Sequence, residues 1–388
     1  MEWGGVQLYF LGLMRGAAQN YFVKAVLPSG SGQKILNYLA ENNIEYDFYE
    51  GSLDAAEAGS LRRKIARRRN DWRTNFSLAR YFSKIDLRNS IVQIDVAPWS
   101  GFFLLLYLVS RTDVFVTFHT CLPEFSFARK SLLKLKFAVL TTCRRFHLVA
   151  SNLDVKKSLR PFISQERFQT VEVVYSSVNF EEIGKMLAEN KPRTEIAEEY
   201  GLPAEKIWIC DVAQFIERKG CWVFLEAVKI LQGQRDDLCF LWLGTSVLEK
   251  EILEKIGGYE VEKNFRYFSS EEIGAARGDL LTLWNATDIF VLPSFQEGLP
   301  MSLVEAMALG KPCIASDINA IPEAVKHLET GLLVNTGDAP ALARAIGELA
   351  DNAKLRETLG ENARKLVFEK FEEKITSRKM LRLYENAG

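Results

Sequence analysis

Glu297 and Glu305 stand eight residues apart and are the side chains of this sequence best placed to do chemistry. Residues 288–294 precede them as an apolar, β-branched run, which predicts a buried strand. Pro300 suits the first turn of a helix, and Gly310 suits its end. We therefore expect Glu297 in the loop between strand and helix, and Glu305 about two turns along that helix.

The start of this helix is a natural site for an anion. The first amide groups of a helix lack intrahelical partners, and the helix dipole is positive at that end. Two carboxylates beside an anion site make sense if they bind neutral hydroxyl groups while the backbone amides bind a phosphate. The other interpretation is an ordinary strand–loop–helix unit whose glutamates are solvated.

The stretch 293–312, PSFQEGLPMSLVEAMALGKP, resembles the E-x7-E signature of retaining glycosyltransferases of family 4. That family has the GT-B fold, an α/β architecture of two doubly wound Rossmann-like domains that face a central cleft. The resemblance implies an enzyme that moves a sugar from a nucleotide-diphosphate sugar to a glycan or lipid-linked acceptor. The products of such enzymes include cell-surface polysaccharides such as lipopolysaccharide and capsule, and glycolipids.

Length and composition agree with a two-domain cytoplasmic protein. The chain has 388 residues, of which 48% are hydrophobic, enough for two sizeable cores. Its six cysteines are scattered without a CxxC pair, and its three histidines argue against a histidine metal cluster. No signal peptide is visible, and the longest apolar stretch, 102–109, is too short to span a bilayer.

Apolar strands alternate with amphipathic helices, which predicts βαβ units and parallel sheets. Strands are predicted at 21–27, 91–96, 113–118, 146–150, 171–175, 207–213, 238–243, 288–293, 312–315 and 331–334. Helices are predicted at 5–18, 33–42, 55–84, 100–110, 124–143, 152–160, 220–233, 248–256, 278–286, 301–310, 319–326, 338–351, 353–369 and 371–386. The polar stretch 190–206 indicates a domain boundary between Tyr175 and Ile207.

The resemblance implies three segments. Residues 1–178 would form the acceptor-side Rossmann-like domain, residues 179–370 the nucleotide-sugar-binding domain, and residues 371–388 a helix that crosses back to the first domain. Gly4 and Gly5 resemble the family's glycine-rich loop, which approaches the donor phosphate and the acceptor. In the family, a mid-sheet strand precedes that loop, and no such strand precedes Gly4 here. A start codon assigned too late, a clipped chain and an impaired protein are three open explanations.

A second segment of the resemblance lies at residues 211–228, which are similar to the family's G-R-L-x-x-x-K-G motif. Lys219 falls on the family's lysine, which implies that it counters the charge that builds on the diphosphate leaving group. Gln214 stands where the family has arginine, so this position donates hydrogen bonds without supplying charge. Arg218 is the residue that would compensate, and a solvated loop arginine is the other interpretation.

His119 ends the apolar run 114–120, VFVTFHT, which predicts a buried strand. The run is similar to the family segment whose histidine faces the sugar across the cleft. The resemblance therefore makes His119 the site residue of the first domain, whereas a histidine after a strand is otherwise a satisfied structural residue.

The resemblance assigns a role to each candidate. Glu305 would bind the ribose hydroxyls of the nucleotide, Glu297 would bind the hydroxyls of the donor sugar, and His119 would contact that sugar. The diphosphate would lie against Lys219 and the helix start, formed by Gly298, Leu299, Pro300, Met301 and Ser302. Attack would occur from the same face as departure of the leaving group. No metal or other cofactor is expected, because lysine and the helix dipole balance the charge and no D-x-D motif is present.

The charge is uneven along the chain. Residues 1–178 carry about 24 Lys and Arg against about 15 Asp and Glu, and the remainder carries about 25 against about 35. Two basic runs, 61–69 and 129–145, could contact anionic lipid at the inner membrane face or a phosphorylated acceptor. Solvated helix faces are the alternative, and nucleic-acid binding is disfavoured because aromatic residues do not interleave the basic runs.

Other functions stay open beside the transferase. A GT-B nucleotide-sugar epimerase or a phosphorylase would share the fold, although an epimerase needs more acid–base side chains than three histidines suggest. A catalytically impaired nucleotide-sugar-binding protein would explain Gln214 and the missing strand. A dehydrogenase is disfavoured because no G-x-G-x-x-G motif follows a strand.

Overall fold

The computed structural model describes residues 5–51, 61–187, 191–244, 247–274 and 277–387. The chain divides into two compact units, each taken by itself below. Residues 6–175 with 376–387 form the N-terminal unit, and residues 176–375 form the C-terminal unit. Among the described residues, no helix combines the length and the apolar character that crossing a bilayer requires.

The N-terminal unit alternates helices and strands. Its helices are α1 (Gly5–Ala18), α2 (Gln33–Glu41), α3 (Leu61–Phe82), α4 (Pro98–Val109), α5 (Phe127–Thr142), α6 (Leu153–Leu159) and α7 (Gln165–Thr170). Its strands are β1 (Lys24–Pro28), β2 (Glu45–Tyr49), β3 (Ile91–Ile94), β4 (Asp113–Phe118), β5 (Phe146–Ala150) and β6 (Glu172–Val173). They form two parallel sheets, β1-β2 and β3-β4-β5-β6.

The four-stranded sheet is buried on both faces, as is usual for parallel strands. Side chains alternate along β4, so Val114 and Val116 pack against the helices α3 to α6 on one face. Phe115 points to the other face, where it packs with Tyr9 of α1 and Met380. This second layer explains why the apolar 14-residue α1 forms a helix: one stripe of it covers the sheet.

The C-terminal unit is also doubly wound. Its helices are α8 (Phe180–Met186), α9 (Arg193–Tyr200), α10 (Cys221–Gln232), α11 (Lys250–Gly257), α12 (Ser270–Ile273), α13 (Arg277–Asn285), α14 (Met301–Ala308), α15 (Ile321–Ala324), α16 (Ala339–Asp351) and α17 (Ala353–Lys370). Its strands are β7 (Ile207–Val212), β8 (Leu238–Leu243), β9 (Phe265–Phe268), β10 (Ile289–Leu292), β11 (Cys313–Ser316) and β12 (Leu332–Val334). The last helix, α18 (Glu373–Glu385), starts in this unit and enters the N-terminal unit at Thr376.

The C-terminal sheet is parallel throughout, in the order β12-β11-β10-β7-β8-β9. The chain moves outward from β7 through β8 to β9, then returns beside β7 as β10 and continues the other way. This reversal places a switch point between the adjacent strands β7 and β10. In open parallel sheets, ligands bind beyond the carboxyl ends of the strands at such a point.

Most predicted elements are present, with informative exceptions. α1 spans the residues predicted for the first helix, whereas β2 and β9 were not predicted: β2 carries two acidic residues, and β9 has only four residues. The polar stretch 190–206 contains α9, which buries Ile196 and Ala197 in the C-terminal unit. The stretch 190–206 has few apolar residues, so α9 was not predicted. Burial of two residues in one helical turn packs α9 against the unit.

Candidate active site

Two loops meet at the switch point of the C-terminal sheet. One follows β7 and contains the 3-10 turn Glu217–Lys219, and the other follows β10 and leads into α14. Because β7 and β10 are neighbours, residues 78 positions apart in sequence come within hydrogen-bond distance. The geometry therefore brings Lys219 to Glu297.

Lys219, Glu297 and Ser294 form one hydrogen-bonded cluster. The Lys219 Nζ atom lies 2.6 Å from Glu297 Oε1, and the Ser294 hydroxyl donates to the same oxygen at 2.8 Å. The Glu297 amide donates to Asn319 Oδ1 at 3.4 Å, which ties the loop to the segment after β11. Only 6% of the Glu297 side chain is exposed, so the lysine is its counter-charge in a mostly dry setting.

Backbone contacts fix the two loops against each other. Gly220 has a φ of +76°, and a Cβ at this position would lie 2.0 Å from the Pro293 carbonyl oxygen. Only glycine permits this approach. The Phe295 amide donates to the Arg218 carbonyl at 2.9 Å, and the Arg218 side chain donates to the Gln296 carbonyl at 3.1 Å. Arg218 thus helps to hold the loop that contains Glu297, and Lys219 is the next residue after Arg218.

Gln214 is exposed in the loop after β7, between the strand and the 3-10 turn. Its carbonyl accepts a hydrogen bond from the Ile216 amide at 2.9 Å, so its backbone shapes the loop. The cluster around Glu297 therefore takes its positive charge from Lys219, and Gln214 is a neutral, solvent-facing position.

Gly298, Leu299, Pro300, Met301 and Ser302 form the approach to α14 and its first turn. The helix begins at Met301, Pro300 is its N-cap residue, and no side chain of a described residue caps it. The free amide groups of this first turn therefore remain available as donors. Glu305 is the fifth residue of α14, a little over one turn along, so the predicted two turns were wrong: the helix starts after the proline.

Glu305 is buried and paired with Arg277, the first residue of α13. Burial raises the pKa of the Glu305 carboxyl, and the Arg277 charge opposes that rise. Sequence reasoning missed Arg277, because a single arginine at a helix start carries no signal of its partner 28 residues later. Glu305 therefore already has a cationic partner, Arg277, before any ligand binds.

Asp211 is a second residue that sequence reasoning missed. It lies near the end of β7, is fully buried, and neither of its carboxyl oxygens makes a well-formed hydrogen bond with any described residue. Burial raises the pKa of Asp211 well above its usual value; the Lys219 charge opposes the rise and the Glu297 charge adds to it. The only signal was an acid inside the apolar run 207–212.

The Asp211→Asn variant is expected to be more stable than the wild type at neutral pH. Burial raises the folded-state pKa of Asp211, so the folded protein binds this proton more tightly than the unfolded chain does. Wild-type stability therefore falls as pH rises from about 4 toward the raised folded-state pKa. Asparagine binds no such proton, so the gain should grow by about 1.4 kcal/mol per pH unit in this window. Urea unfolding between pH 5 and 8 measures it.

The exposed Asp236→Asn, in the same unit, is the control for loss of a carboxylate. It shows what loss of an exposed carboxylate does over the same pH range. A difference between Asp211→Asn and the wild type that does not change with pH would contradict the raised pKa of Asp211.

His119 lies in the N-terminal unit, directly after β4. Its ring packs against Tyr9 and Phe10, with centroids 4.7 and 5.7 Å apart, and its Nε2 atom has no hydrogen-bond partner among the described residues. Burial lowers the pKa of His119 to about 4, so the ring is neutral at pH 7. Gly5 is the first residue of α1, and Gly4 lies outside the described residues.

Among the described residues, no group of three or more His, Cys, Asp or Glu side chains is arranged to hold a metal ion. Positive charge beside the two loops and α14 comes from Lys219, Arg218 and Arg277.

Comparison with known proteins gives a family-model match within the C-terminal unit. Residues 192–366 match the family model described as "Glycosyl transferases group 1". The chain is 38% identical over 110 residues to the N,N'-diacetylbacillosaminyl-diphospho-undecaprenol alpha-1,3-N-acetylgalactosaminyltransferase of Campylobacter jejuni, covering 28% of this chain and 29% of that protein. It is 31% identical over 196 residues to the putative colanic acid biosynthesis glycosyltransferase WcaL of Salmonella typhimurium, covering 48% and 46%. The chain thus matches less than half the length of either relative.

Solved structures match over nearly the whole chain. A glycosyltransferase from Rickettsia africae superposes with a TM-score of 0.76 at 19% identity, covering 99% of this chain and 95% of that one. Anabaena Alr3699/HepE, solved in complex with UDP, gives a TM-score of 0.71 at 15% identity, covering 99% and 96%. The predicted α/β fold class is confirmed, with parallel sheets that match GT-B glycosyltransferase structures. The family-model match is confined to residues 192–366, whereas these solved structures share the fold of nearly the whole chain.

Proposed function

We propose that this protein is a retaining glycosyltransferase that moves a sugar from a nucleotide-diphosphate sugar to a glycan or lipid-linked acceptor. The observation that carries the proposal is the part-buried Lys219–Glu297 pair at the switch point of the C-terminal sheet. A cation and a carboxylate side by side suit a ligand that presents a diphosphate next to sugar hydroxyls.

The donor would bind along the first turn of α14. Its diphosphate would accept hydrogen bonds from the uncapped amides near Met301 and Ser302 and from Lys219. Glu305, on the same helix, would accept hydrogen bonds from the ribose hydroxyls. For this, the Glu305 carboxylate must either bind Arg277 and the ligand together or break its ion pair with Arg277. Glu297 would accept hydrogen bonds from the donor sugar.

Binding of the donor would redistribute charge at the cluster. Without ligand, Lys219 neutralises Glu297. A diphosphate competes for the lysine, so the carboxylate becomes free to bind hydroxyls and to stabilise positive charge near the anomeric carbon. As the glycosidic bond breaks, negative charge grows on the leaving diphosphate, where Lys219 stabilises it. Lysine and helix dipole supply this stabilisation, so we expect transfer without added divalent cations.

His119 would bind a sugar hydroxyl group as a neutral ring, since burial lowers its pKa to about 4. Its unpartnered Nε2 atom is suited to bind a hydroxyl group. In this scheme the acceptor hydroxyl attacks from the face that the leaving group occupies, and a phosphate oxygen takes its proton.

Names of the relatives support the choice of acceptor and pathway. One relative is named for a diphospho-undecaprenol acceptor and another for colanic acid biosynthesis. We therefore place this protein in synthesis of a cell-surface polysaccharide or glycolipid, at the cytoplasmic side of the membrane.

An impaired nucleotide-sugar-binding protein is the alternative that one observation favours. Gln214 supplies no charge where the resembled family has arginine, and it is solvent-exposed. Lys219 would then stabilise the leaving group alone. This alternative predicts donor binding without turnover, whereas a GT-B epimerase would convert the donor with no acceptor present.

A screen of nucleotide-sugars by thermal shift tests the proposal. A donor at about 100 times its Kd should stabilise the protein by about 2.7 kcal/mol, a rise of several degrees in Tm. Glu305→Gln should weaken donor binding about 10- to 100-fold, since it loses a charged acceptor for hydroxyl groups. Exposed Glu361→Gln, on α17, is the control and should bind like the wild type.

Release of nucleoside diphosphate is then followed with and without a lipid-linked acceptor. Acceptor-dependent release supports the transferase. Binding without release identifies the impaired protein, and conversion of the donor sugar alone identifies the epimerase. Stabilisation by no nucleotide or nucleotide-sugar would contradict the proposal.

A further inference from the structure

Helix α5 of the N-terminal unit is apolar on two opposite faces. Its inner face buries Leu133, Phe137 and Leu140 against the sheet. Leu132 and Leu135 are nevertheless 54% and 61% exposed. At 3.6 residues per turn, these two leucines and the exposed Val139 fall within about 60° of one another, on the side away from the core. This second stripe is not accounted for by packing within the unit.

The neighbouring helices continue the exposed apolar surface. Phe103 of α4 is 82% exposed, and Trp72 of α3 is 68% exposed and stacks on Phe76 with centroids 5.7 Å apart. We call this surface the α3–α5 face. It comprises Trp72, Phe76, Trp99, Phe103, Leu132, Leu135 and Val139.

Hydrogen bonds hold the three helices side by side. The Asn75 side chain of α3 donates to the Ser100 carbonyl of α4 at 2.8 Å. Lys136 of α5 donates to the Trp99 carbonyl of α4 at 3.3 Å. Each bond lies within one helical turn of exposed aromatic side chains, so the apolar residues of the three helices belong to one surface. An exposed apolar surface shared by several helices marks an interaction site more often than isolated exposed apolar residues do.

Positive charge surrounds the apolar residues. Helix α5 carries Arg129, Lys130, Lys134 and Lys136 and no acidic residue. On α3, Arg69 and Arg73 lie one turn from Trp72 and Phe76, and both are exposed. Aromatic and aliphatic side chains bordered by lysine and arginine are typical of helices that lie in a membrane interface. The cores of protein–protein interfaces are instead depleted in lysine.

We propose that the α3–α5 face docks on a lipid bilayer that contains anionic lipids. The Leu132–Leu135 stripe and the exposed aromatic side chains would enter the interfacial region, while the bordering lysines and arginines remain at the phosphate level. This inference does not depend on the proposed function, but it would place the protein beside a lipid-linked acceptor.

Co-sedimentation of the full chain with vesicles tests the proposal. Vesicles of phosphatidylcholine with about 30% phosphatidylglycerol should bind at least about tenfold more tightly than pure phosphatidylcholine, and high salt should weaken this binding. Leu132→Ser with Leu135→Ser, and separately Lys130→Glu with Lys134→Glu, should each reduce binding about tenfold or more. All four positions are exposed, so these variants should fold, which circular dichroism and Tm confirm.

Matched controls come from the C-terminal unit. Exposed Leu253→Ser on α11 and exposed Lys365→Glu on α17 should bind vesicles like the wild type. Failure to bind any vesicle would overturn the proposal. So would binding that inorganic phosphate abolishes and the leucine variant leaves unchanged, since that identifies an anion site. Lipid-free self-association that the leucine variant abolishes would assign the face to a second copy of the chain.

Discussion

Glu297→Gln is expected to lower the rate of sugar transfer by about 10²- to 10³-fold or more, with little effect on the fold. In the proposed reaction, the Glu297 carboxylate binds the donor sugar and stabilises positive charge as the glycosidic bond breaks. A neutral amide keeps the size of the side chain and still accepts hydrogen bonds from Lys219 and Ser294. It cannot supply the negative charge, and loss of one preorganised electrostatic group has this order of effect on kcat.

The measurement compares kcat of wild type, Glu297→Gln and the exposed Glu361→Gln, with urea unfolding of each. Glu361→Gln should keep wild-type kcat. Full activity in folded Glu297→Gln would remove this residue from the mechanism and leave the Lys219–Glu297 pair as a structural ion pair.

Lys219→Met is expected to reduce both activity and stability. The variant loses the charge that would stabilise the leaving diphosphate, which should lower kcat about 10²- to 10³-fold. It also leaves Glu297 with only 6% of its side chain exposed and without its counter-charge. Removing one partner of a mostly buried ion pair costs about 3–5 kcal/mol of folding free energy.

The double variant Lys219→Met with Glu297→Gln separates the two effects. It removes the isolated charge, so most of the lost stability should return while activity stays low. The double-mutant cycle then gives a coupling energy of about 0.5–3 kcal/mol for this pair. Exposed Lys365→Met serves as the control for loss of a lysine. Additive losses of stability in the cycle would mean that the contact between Lys219 and Glu297 contributes nothing.

Local patterns in the sequence were sufficient for the strand–loop–helix unit around Glu297. The apolar run before Ser294 indicates a buried strand. The proline before α14 and the glycine after it mark where the helix begins and ends. The same reasoning predicted α1 to the residue, because its apolar stripe is continuous. It failed at β2 and β9, because strands of five and four residues are too short to show a clear period.

Resemblance added Lys219 to the candidates, but neither pattern nor resemblance predicted its contact with Glu297. That contact depends on β7 lying next to β10, which is a property of sheet order. Hydrophobic periodicity reports which face of an element is buried and does not report which element lies beside it. Arg277 was missed for the same reason, because its partner Glu305 lies on another helix. Asp211 was missed although its place inside an apolar run was a local signal.

The sequence by itself was therefore sufficient to predict the α/β class and most elements, and to name Glu297 and Glu305 as candidates. These predictions follow from interactions between residues close along the chain. Tertiary structure alone decided the charge state and pairing of the candidate site. Burial and charge neighbours set those properties, and the neighbours come from strands and loops that are distant in sequence.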